Sequence, residues 1–176
     1  MKFTETKLKG AYVVEIEPFE DERGFFSRAY CADEFQALGI DFTPVQANLS
    51  GTQKKGTIRG LHYQVAPASE PKLFRAIRGS VYDVIIDMRP ESPTYLDYFG
   101  VELSAENHKA IYVPDMFAHG YQAMEDDVEV FYMVGERYTP GYERGFRYDD
   151  PAVGIQWPVE VTVVSEKDLA WAPLKS

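Results

Sequence analysis

The sequence contains a single cysteine, Cys31, so no disulfide can form within the chain. This shortage favours a reducing compartment, and we expect the protein to be cytoplasmic. At 176 residues the chain is long enough to bury about 70% of its unfolded surface, so its core needs no disulfide or metal. The length predicts one domain that covers residues 1–176.

Long apolar segments are also missing. The longest strongly apolar run, "VYDVIIDM", is short and includes two aspartates, so no membrane span or membrane partner is predicted. The opening segment, "MKFTETKLKG", is polar, and we expect no secretory signal there.

Positive charge is scarce, because 18 basic side chains face 28 acidic ones and the net charge is −10. General nucleic-acid binding needs a basic surface, so we expect no nucleic-acid partner. A small anionic ligand is still compatible with this composition, because a local cluster of cations attracts anions within an acidic protein.

Aromatic residues, in contrast, are abundant, at 14% of the chain with 12 Tyr and 11 Phe. Short runs rich in Val, Ile, Phe and Tyr alternate with turn signals such as "DERG", "GTQKKG" and "TPGYERG". This alternation of short apolar runs and turns predicts an all-β fold, either a sandwich or a barrel. The one helix that the pattern indicates is near "CADEFQALG", with Phe35 and Leu38 three residues apart and Gly39 as its stop.

One of the three histidines lies in "RGLHYQ". From this segment alone, His62 could be a metal ligand, a proton shuttle or a hydrogen-bonded core residue.

A longer set of sequence motifs narrows these possible roles: "DERGFF", "QANLS", "GTIRGLHYQ", "KLFRAIRGSVYDVIIDMR", "SPTY", "LSAEN", "VPDMFAHGY", "EVFYMV", "YDDPAVGIQWP" and "SEKD". In this order they resemble the dTDP-4-dehydrorhamnose 3,5-epimerase family, which is similar to the cupin barrels. The resemblance implies an antiparallel jelly-roll β-sandwich or barrel with one or two short helices.

A metal site is not expected. Two-histidine cupin sites usually have His-x-His on one strand and an acidic ligand several residues later. Gln64 takes the second histidine position here, and Lys72 takes the acidic one. His62 and His119 are then without a third ligand, whereas zinc and iron sites use three or four. We predict no metal and no cofactor.

The resemblance implies that the protein inverts carbons beside the ketone of a nucleotide-linked 4-keto-6-deoxy sugar. By resemblance, His62 is the base and Asp168 fixes its tautomer. Lys72 stabilises the enolate, and Tyr132 is the acid on the opposite face.

The same resemblance implies the substrate contacts. The cations that would hold the diphosphate of the substrate are Arg23, Arg59 and Lys167. Further polar contacts to the substrate would come from Gln46, Asn48, His119 and Glu143. After "RGFF" the family usually has a glutamate two residues on, where this chain has Arg28. A guanidinium only donates hydrogen bonds, so Arg28 either reads acceptors on cytosine or guanine or turns to phosphate or solvent.

These observations together predict an epimerase acting at C3 and/or C5, with a dTDP-linked keto sugar as the default substrate. Its product would supply surface polysaccharide or glycosylated compounds, and the resemblance implies a homodimer. Two alternatives keep the chemistry: inversion of a single carbon, or a CDP- or GDP-linked substrate. A third alternative is a non-catalytic cupin that only binds sugar nucleotides.

Overall fold

The computed structural model describes residues 1–174. Its strands are β1 (Lys2–Glu5), β2 (Tyr12–Glu15), β3 (Phe19–Asp21), β4 (Gly24–Phe26), β5 (Gln46–Thr52), β6 (Ile58–Gln64), β7 (Lys72–Arg78), β8 (Ser80–Asp87), β9 (Tyr98–Ser104), β10 (Ala110–Val113), β11 (Phe117–Ala123), β12 (Val128–Val134) and β13 (Glu143–Gly145). Its helices are α1 (Ala32–Ala37) and α2 (Glu166–Leu169). No helix in residues 1–174 is both long and apolar enough to cross a membrane.

The strands form two large antiparallel sheets and one small hairpin. The first sheet has six strands in the order β1-β2-β10-β7-β12-β5, and the second has five in the order β13-β6-β11-β8-β9. Strands β3 and β4 pair only with each other. The predicted all-β jelly-roll architecture with two short helices is confirmed.

The main core lies between the two sheets. Because successive side chains of a strand point to opposite faces, each sheet presents every second residue to this core. Phe74 and Val130 reach it from the first sheet, and Ile85 and Phe117 from the second. Jelly-roll sheets pack in this way because each has an apolar face to bury.

Two smaller clusters cover the outer faces of the sheets. Phe35 of α1 is fully buried against the first sheet beside Leu73 and Tyr112. The helix ends where predicted, before Gly39 at φ +74, although Leu38 remains 46% exposed. On the second sheet, the segment around Trp157 covers Leu61, Ile86 and Phe146.

Candidate active site

A cavity of about 590 Å³ opens between the two sheets, a volume suited to a small-molecule ligand. Alternate residues of the first-sheet strands line one of its walls. From the first sheet these are Gln46, Asn48 and Ser50 of β5, Lys72 and Phe74 of β7, and Tyr132 and Val134 of β12. From the second sheet they include His62 of β6 with His119 and Tyr121 of β11.

His62 and Asp168 form a hydrogen-bonded pair at one wall of the cavity. The distance from His62 Nε2 to Asp168 Oδ1 is 2.6 Å. The Asp168 side chain is 6% exposed and that of His62 29%, so the imidazole opens to the cavity while the carboxylate lies behind it. This carboxylate can fix the orientation and tautomer of the ring.

The chain positions Asp168 through a short local structure. Helix α2 begins after Ser165, whose Oγ accepts a hydrogen bond from the Asp168 N–H at 3.1 Å. Burial raises the pKa of Asp168, but the hydrogen bond and charge of His62, with contacts to Gly60 and Ser165, outweigh it. The net pKa lies below its ordinary value, so Asp168 is an anion at neutral pH.

A second histidine–aspartate pair lies deeper in the same wall. His119 and His62 are directly opposite each other on the paired strands β11 and β6. His119 Nε2 lies 2.7 Å from Oδ2 of Asp83, and the ring also packs edge-on against Phe74. Burial raises the pKa of Asp83, against the opposing charges of His119 and Lys72. Its Oδ1 is buried without a hydrogen-bond partner.

Lys72 and Tyr132 stand on the opposite wall, in the first sheet. Lys72 Nζ lies 3.0 Å from Oε1 of Glu70, and both side chains are 13% exposed. Burial raises the pKa of Tyr132; Glu70 and Tyr121 raise it further, while Arg59 opposes them. The hydroxyl of Tyr132 therefore stays protonated across the neutral range and can act as an acid.

Cations mark the mouth of the cavity. Arg59 is held by hydrogen bonds from Nε to Thr52 Oγ1 at 3.0 Å and from Nη2 to the Gly51 carbonyl at 2.9 Å. Lys167 Nζ donates to both carboxylate oxygens of Glu143 at 2.9 and 3.0 Å. The hydrogen bond with Glu143 raises the pKa of Lys167. Arg59 and Lys167 therefore bring positive charge to the cavity of an acidic chain, although Glu143 offsets the charge of Lys167.

The structure brings together most of the residues that the sequence singled out. Nine line the cavity: Gln46, Asn48, Arg59, His62, Lys72, His119, Tyr132, Lys167 and Asp168. Glu143 reaches the cavity only through its contact with Lys167. Arg23 and Arg28 lie outside it, paired with Asp21 and Glu34. The roles assigned to all of these residues stay predictions.

Sequence reasoning missed two carboxylates of this site, Glu70 and Asp83. Asp83 did leave a signal, because an acidic residue inside the apolar run "VYDVIIDM" must find a partner when the strand is buried. Glu70 lies in the polar loop "ASEPK" and has no such signal.

No group of three or more metal-ligating side chains comes together in residues 1–174. The amide of Gln64 turns into a loop, where Nε2 donates to the Ala68 and Arg137 carbonyls, each at 3.0 Å. Lys72, at the other expected ligand position, pairs with Glu70. The metal-free mechanism stays a prediction.

Comparison with known proteins agrees with this geometry. The family model described as dTDP-4-dehydrorhamnose 3,5-epimerase matches residues 5–176. The chain belongs to this family. A dTDP-4-dehydrorhamnose 3,5-epimerase of Methanothermobacter thermautotrophicus is 41% identical over 99% of the chain and 95% of that relative.

Solved structures of the epimerase family have the same fold. The enzyme of Bacillus anthracis, solved with TDP and PPi bound, is 38% identical with a TM-score of 0.94, over 98% of this chain and 99% of that one. The Legionella pneumophila enzyme, solved with dTDP-4-keto-L-rhamnose, is 35% identical with a TM-score of 0.90, over 97% of this chain and 90% of that one. The family therefore includes members solved with a thymidine nucleotide and with a keto sugar attached to one.

Proposed function

We propose that this chain is a cofactor-independent epimerase that inverts C3 and C5 of a dTDP-linked 4-keto-6-deoxy sugar. The observation that carries the proposal is the 2.6 Å His62–Asp168 pair, which faces the cavity from one sheet while Tyr132 faces it from the other. A base and an acid on opposite walls are what inversion of a carbon requires. The names of the relatives supply the nucleotide and the sugar.

The first step is removal of a proton from the carbon beside the ketone. Neutral His62 takes this proton, and Asp168 stabilises the imidazolium that forms. The electron pair of the broken C–H bond moves to the carbonyl oxygen and generates an enolate. Lys72 is the cation on the cavity wall that can hold this oxygen, a form of stabilisation that is strong where water is excluded.

The second step returns a proton to the opposite face of the same carbon. Tyr132 donates its hydroxyl proton as the enolate collapses to the ketone, and the configuration is inverted. His62 and Tyr132 then exchange protons with solvent before the next cycle. The mechanism consumes no redox equivalent, and after this exchange both groups are back in their starting states.

Solvent deuterium separates this function from simple binding of a sugar nucleotide. In D₂O the wild-type protein should place deuterium at C3 and C5 of the dTDP-keto sugar, followed by NMR at each carbon. The His62→Ala variant should exchange deuterium about 10²–10⁴-fold more slowly. Its affinity for dTDP should stay within a few-fold of wild type, because the phosphate contacts lie elsewhere. A wild-type protein that binds the sugar nucleotide without any exchange would contradict the proposal.

We also propose that the protein acts as a homodimer whose copies complete each other's sites. Arg23 and Arg28 lie outside their own cavity, with side chains 85% and 63% exposed. The β3–β4 hairpin beside them exposes Phe19 and Phe26 at 81% and 77%. Leu49, 66% exposed, alternates along β5 with side chains that line the cavity. These features support docking of one copy's hairpin at the β5 edge of the other.

We propose the cytoplasm as the location. The only cysteine of the chain, Cys31, is a free thiol in the structure, as is usual in reducing compartments. Fractionation of the producing cells, with the epimerase assayed in each fraction, tests this location. Activity confined to a membrane or secreted fraction would contradict it.

A further inference from the structure

Glu70 is a cavity-lining carboxylate with no role in the mechanism above. Both of its oxygens have a partner: Oε1 lies 3.0 Å from Lys72 Nζ, and Oε2 lies 3.2 Å from Gln64 Nε2, whose two protons it shares with the Ala68 and Arg137 carbonyls. Gln64 is itself 4% exposed, and its Oε1 accepts from the Thr139 N–H at 2.7 Å. The carboxylate is therefore held by a fixed partner as well as by the lysine.

The neighbouring strands β7 and β12 bring together Lys72 and Tyr132, two groups of the proposed reaction. Strands β7 and β12 are paired so that Lys72 lies opposite Val134 and Phe74 lies opposite Tyr132. The side chains of Lys72 and Tyr132 therefore enter the cavity from diagonal positions on the two paired strands. Glu70 precedes β7 and contributes, after burial, the largest charge effect on the pKa of Tyr132, which it raises.

We propose that Glu70 is a positioning residue for the proposed epimerisation: its carboxylate, 3.0 Å from Lys72 Nζ, fixes the Lys72 ammonium at the cavity wall. A lysine has four rotatable bonds, and an ion pair with a buried, hydrogen-bonded carboxylate limits them. A fixed ammonium meets the developing enolate without reorganisation. The inference rests on the proposed function and adds a residue to it.

Several other ionisable groups also line this cavity, and two of them, Tyr121 and Arg59, act on the pKa of Tyr132. The lining groups are Lys72 on β7, Arg59 and His62 on β6, His119 and Tyr121 on β11, Tyr138 in the following loop, and Lys167 and Asp168 on α2. Removing the charge of Glu70 leaves the cations of this set in excess around Tyr132. The ionised tyrosine then becomes less unfavourable, and its pKa should fall.

The test is Glu70→Gln, which keeps the shape of the side chain and removes its charge. We expect kcat to fall roughly ten- to a hundredfold, the scale of a catalytic group displaced by about an ångström, with KM nearly unchanged. The alkaline limb of the profile of kcat against pH should move to lower pH, because the pKa of Tyr132 falls. Glu129→Gln is the matched control: Glu129 lies on the same strand as Tyr132 but forms a surface ion pair with Arg78. This control should keep the wild-type rate and profile.

Two further measurements make the outcome decisive. Glu70→Asp keeps the charge, so it should restore the alkaline limb and only part of kcat. Tyrosinate absorbance, titrated without substrate and corrected with the Tyr132→Phe variant, reports the pKa of Tyr132 directly and does not depend on turnover. A Glu70→Gln variant with wild-type kcat, alkaline limb and tyrosine titration would overturn the inference, whereas a wild-type protein without turnover would count against the proposed function instead.

Discussion

At the scale of the residue, the two histidine–aspartate pairs differ in what they can reach. His62 is 29% exposed and His119 8%, although they are opposite each other on paired strands. A base must touch the proton it removes, and only His62 has the exposure to do so freely. His119 is held between Asp83 and Phe74, which suits it to bind a substrate oxygen in a fixed orientation.

Tyr132→Phe should separate proton removal from inversion. The variant lacks the acid but keeps the ring that packs on Phe74, at a centroid distance of 5.7 Å, so the fold should survive. His62 can still remove and return a proton on the original face. We expect deuterium to enter the substrate while formation of inverted product falls about 10²–10⁴-fold, measured by NMR in D₂O.

The control for this experiment is Tyr95→Phe, which removes a hydroxyl from a side chain 45% exposed and outside the cavity. It should behave as the wild type. If Tyr132→Phe loses exchange and inversion together, Tyr132 has a binding or structural role and is not the acid.

Sequence alone could not have selected most of these residues. Tyr132 is one of 12 tyrosines, and its neighbours do not distinguish it; the family resemblance did. Lys72 is similar, because a lysine at the start of a strand usually points to solvent. Glu70 escaped both routes, since its place beside Lys72 depends on a loop conformation and on the hydrogen bond from Gln64.

At the scale of the element, sequence patterns predicted the strongly apolar strands and missed the polar ones. Strands β8 and β12, for example, are rich in the Val, Ile, Phe and Tyr residues whose short runs predict an all-β fold. Strand β5, "QANLSGT", contains Asn, Ser and Gly, which favour turns, yet it pairs with β12 along its whole length. Tertiary pairing overrides local preference there, and this strand provides three side chains of the cavity wall.

The close contact between β6 and β11 should be sensitive to a single methyl group. Gly60 has φ +117, and a Cβ there would lie 2.7 Å from Gly120 Cα and from the His119 carbonyl. Both strands would have to shift, and they carry His62 and His119. We expect Gly60→Ala to lower the free energy of unfolding by about 1–3 kcal/mol, measured by urea denaturation, and to reduce kcat.

Gly24→Ala is the control, because Gly24 has a similar φ of +121 with open space around it. It reports the cost of the backbone conformation alone. Equal destabilisation of the two variants would show that the contact between β6 and β11 adds nothing.

At the scale of the whole molecule, mixing two variants that should each be inactive tests the proposed sharing of sites between copies. Arg23→Ala removes a group from the hairpin, and His62→Ala removes one from the cavity. In a mixed dimer one site has both changes and the other has neither. Random pairing should therefore restore about a quarter of wild-type activity.

A mixture of His62→Ala and Asp168→Asn is the control, since both changes affect the same cavity and every site of a mixed dimer is damaged. Activity of the first mixture that equals the sum of its separate components would mean that each copy uses its own arginines.

Acid stability should depend on Asp87, at the end of β8. This carboxylate is fully buried and accepts from Arg89, Ser92 and Thr94, at 2.7, 2.6 and 2.7 Å from its Oδ2. Burial raises the pKa of Asp87, but the hydrogen bonds lower it by a larger amount, so the pKa lies well below its ordinary value. The contribution of Asp87 to the stability of the folded protein is therefore complete above about pH 4 and is lost as the pH falls below that value.

Asp87→Asn should cost about 2–3 kcal/mol near neutral pH and flatten the fall in stability below about pH 4, as measured by urea denaturation across pH. Asp149→Asn, which changes a surface carboxylate paired with Arg147, is the control and should have a small effect. An unchanged acid limb in the Asp87 variant would mean that other carboxylates govern acid unfolding.

The exposed hairpin has one more consequence, for how the enzyme behaves at low concentration. If each site borrows Arg23 and Arg28 from a second copy, the number of complete sites follows the fraction of chains that are associated. Activity per milligram should then be constant in concentrated solution and decline on dilution, with a delay set by the dissociation rate. Saturating sugar nucleotide would then bridge the two copies and should protect the enzyme from this loss.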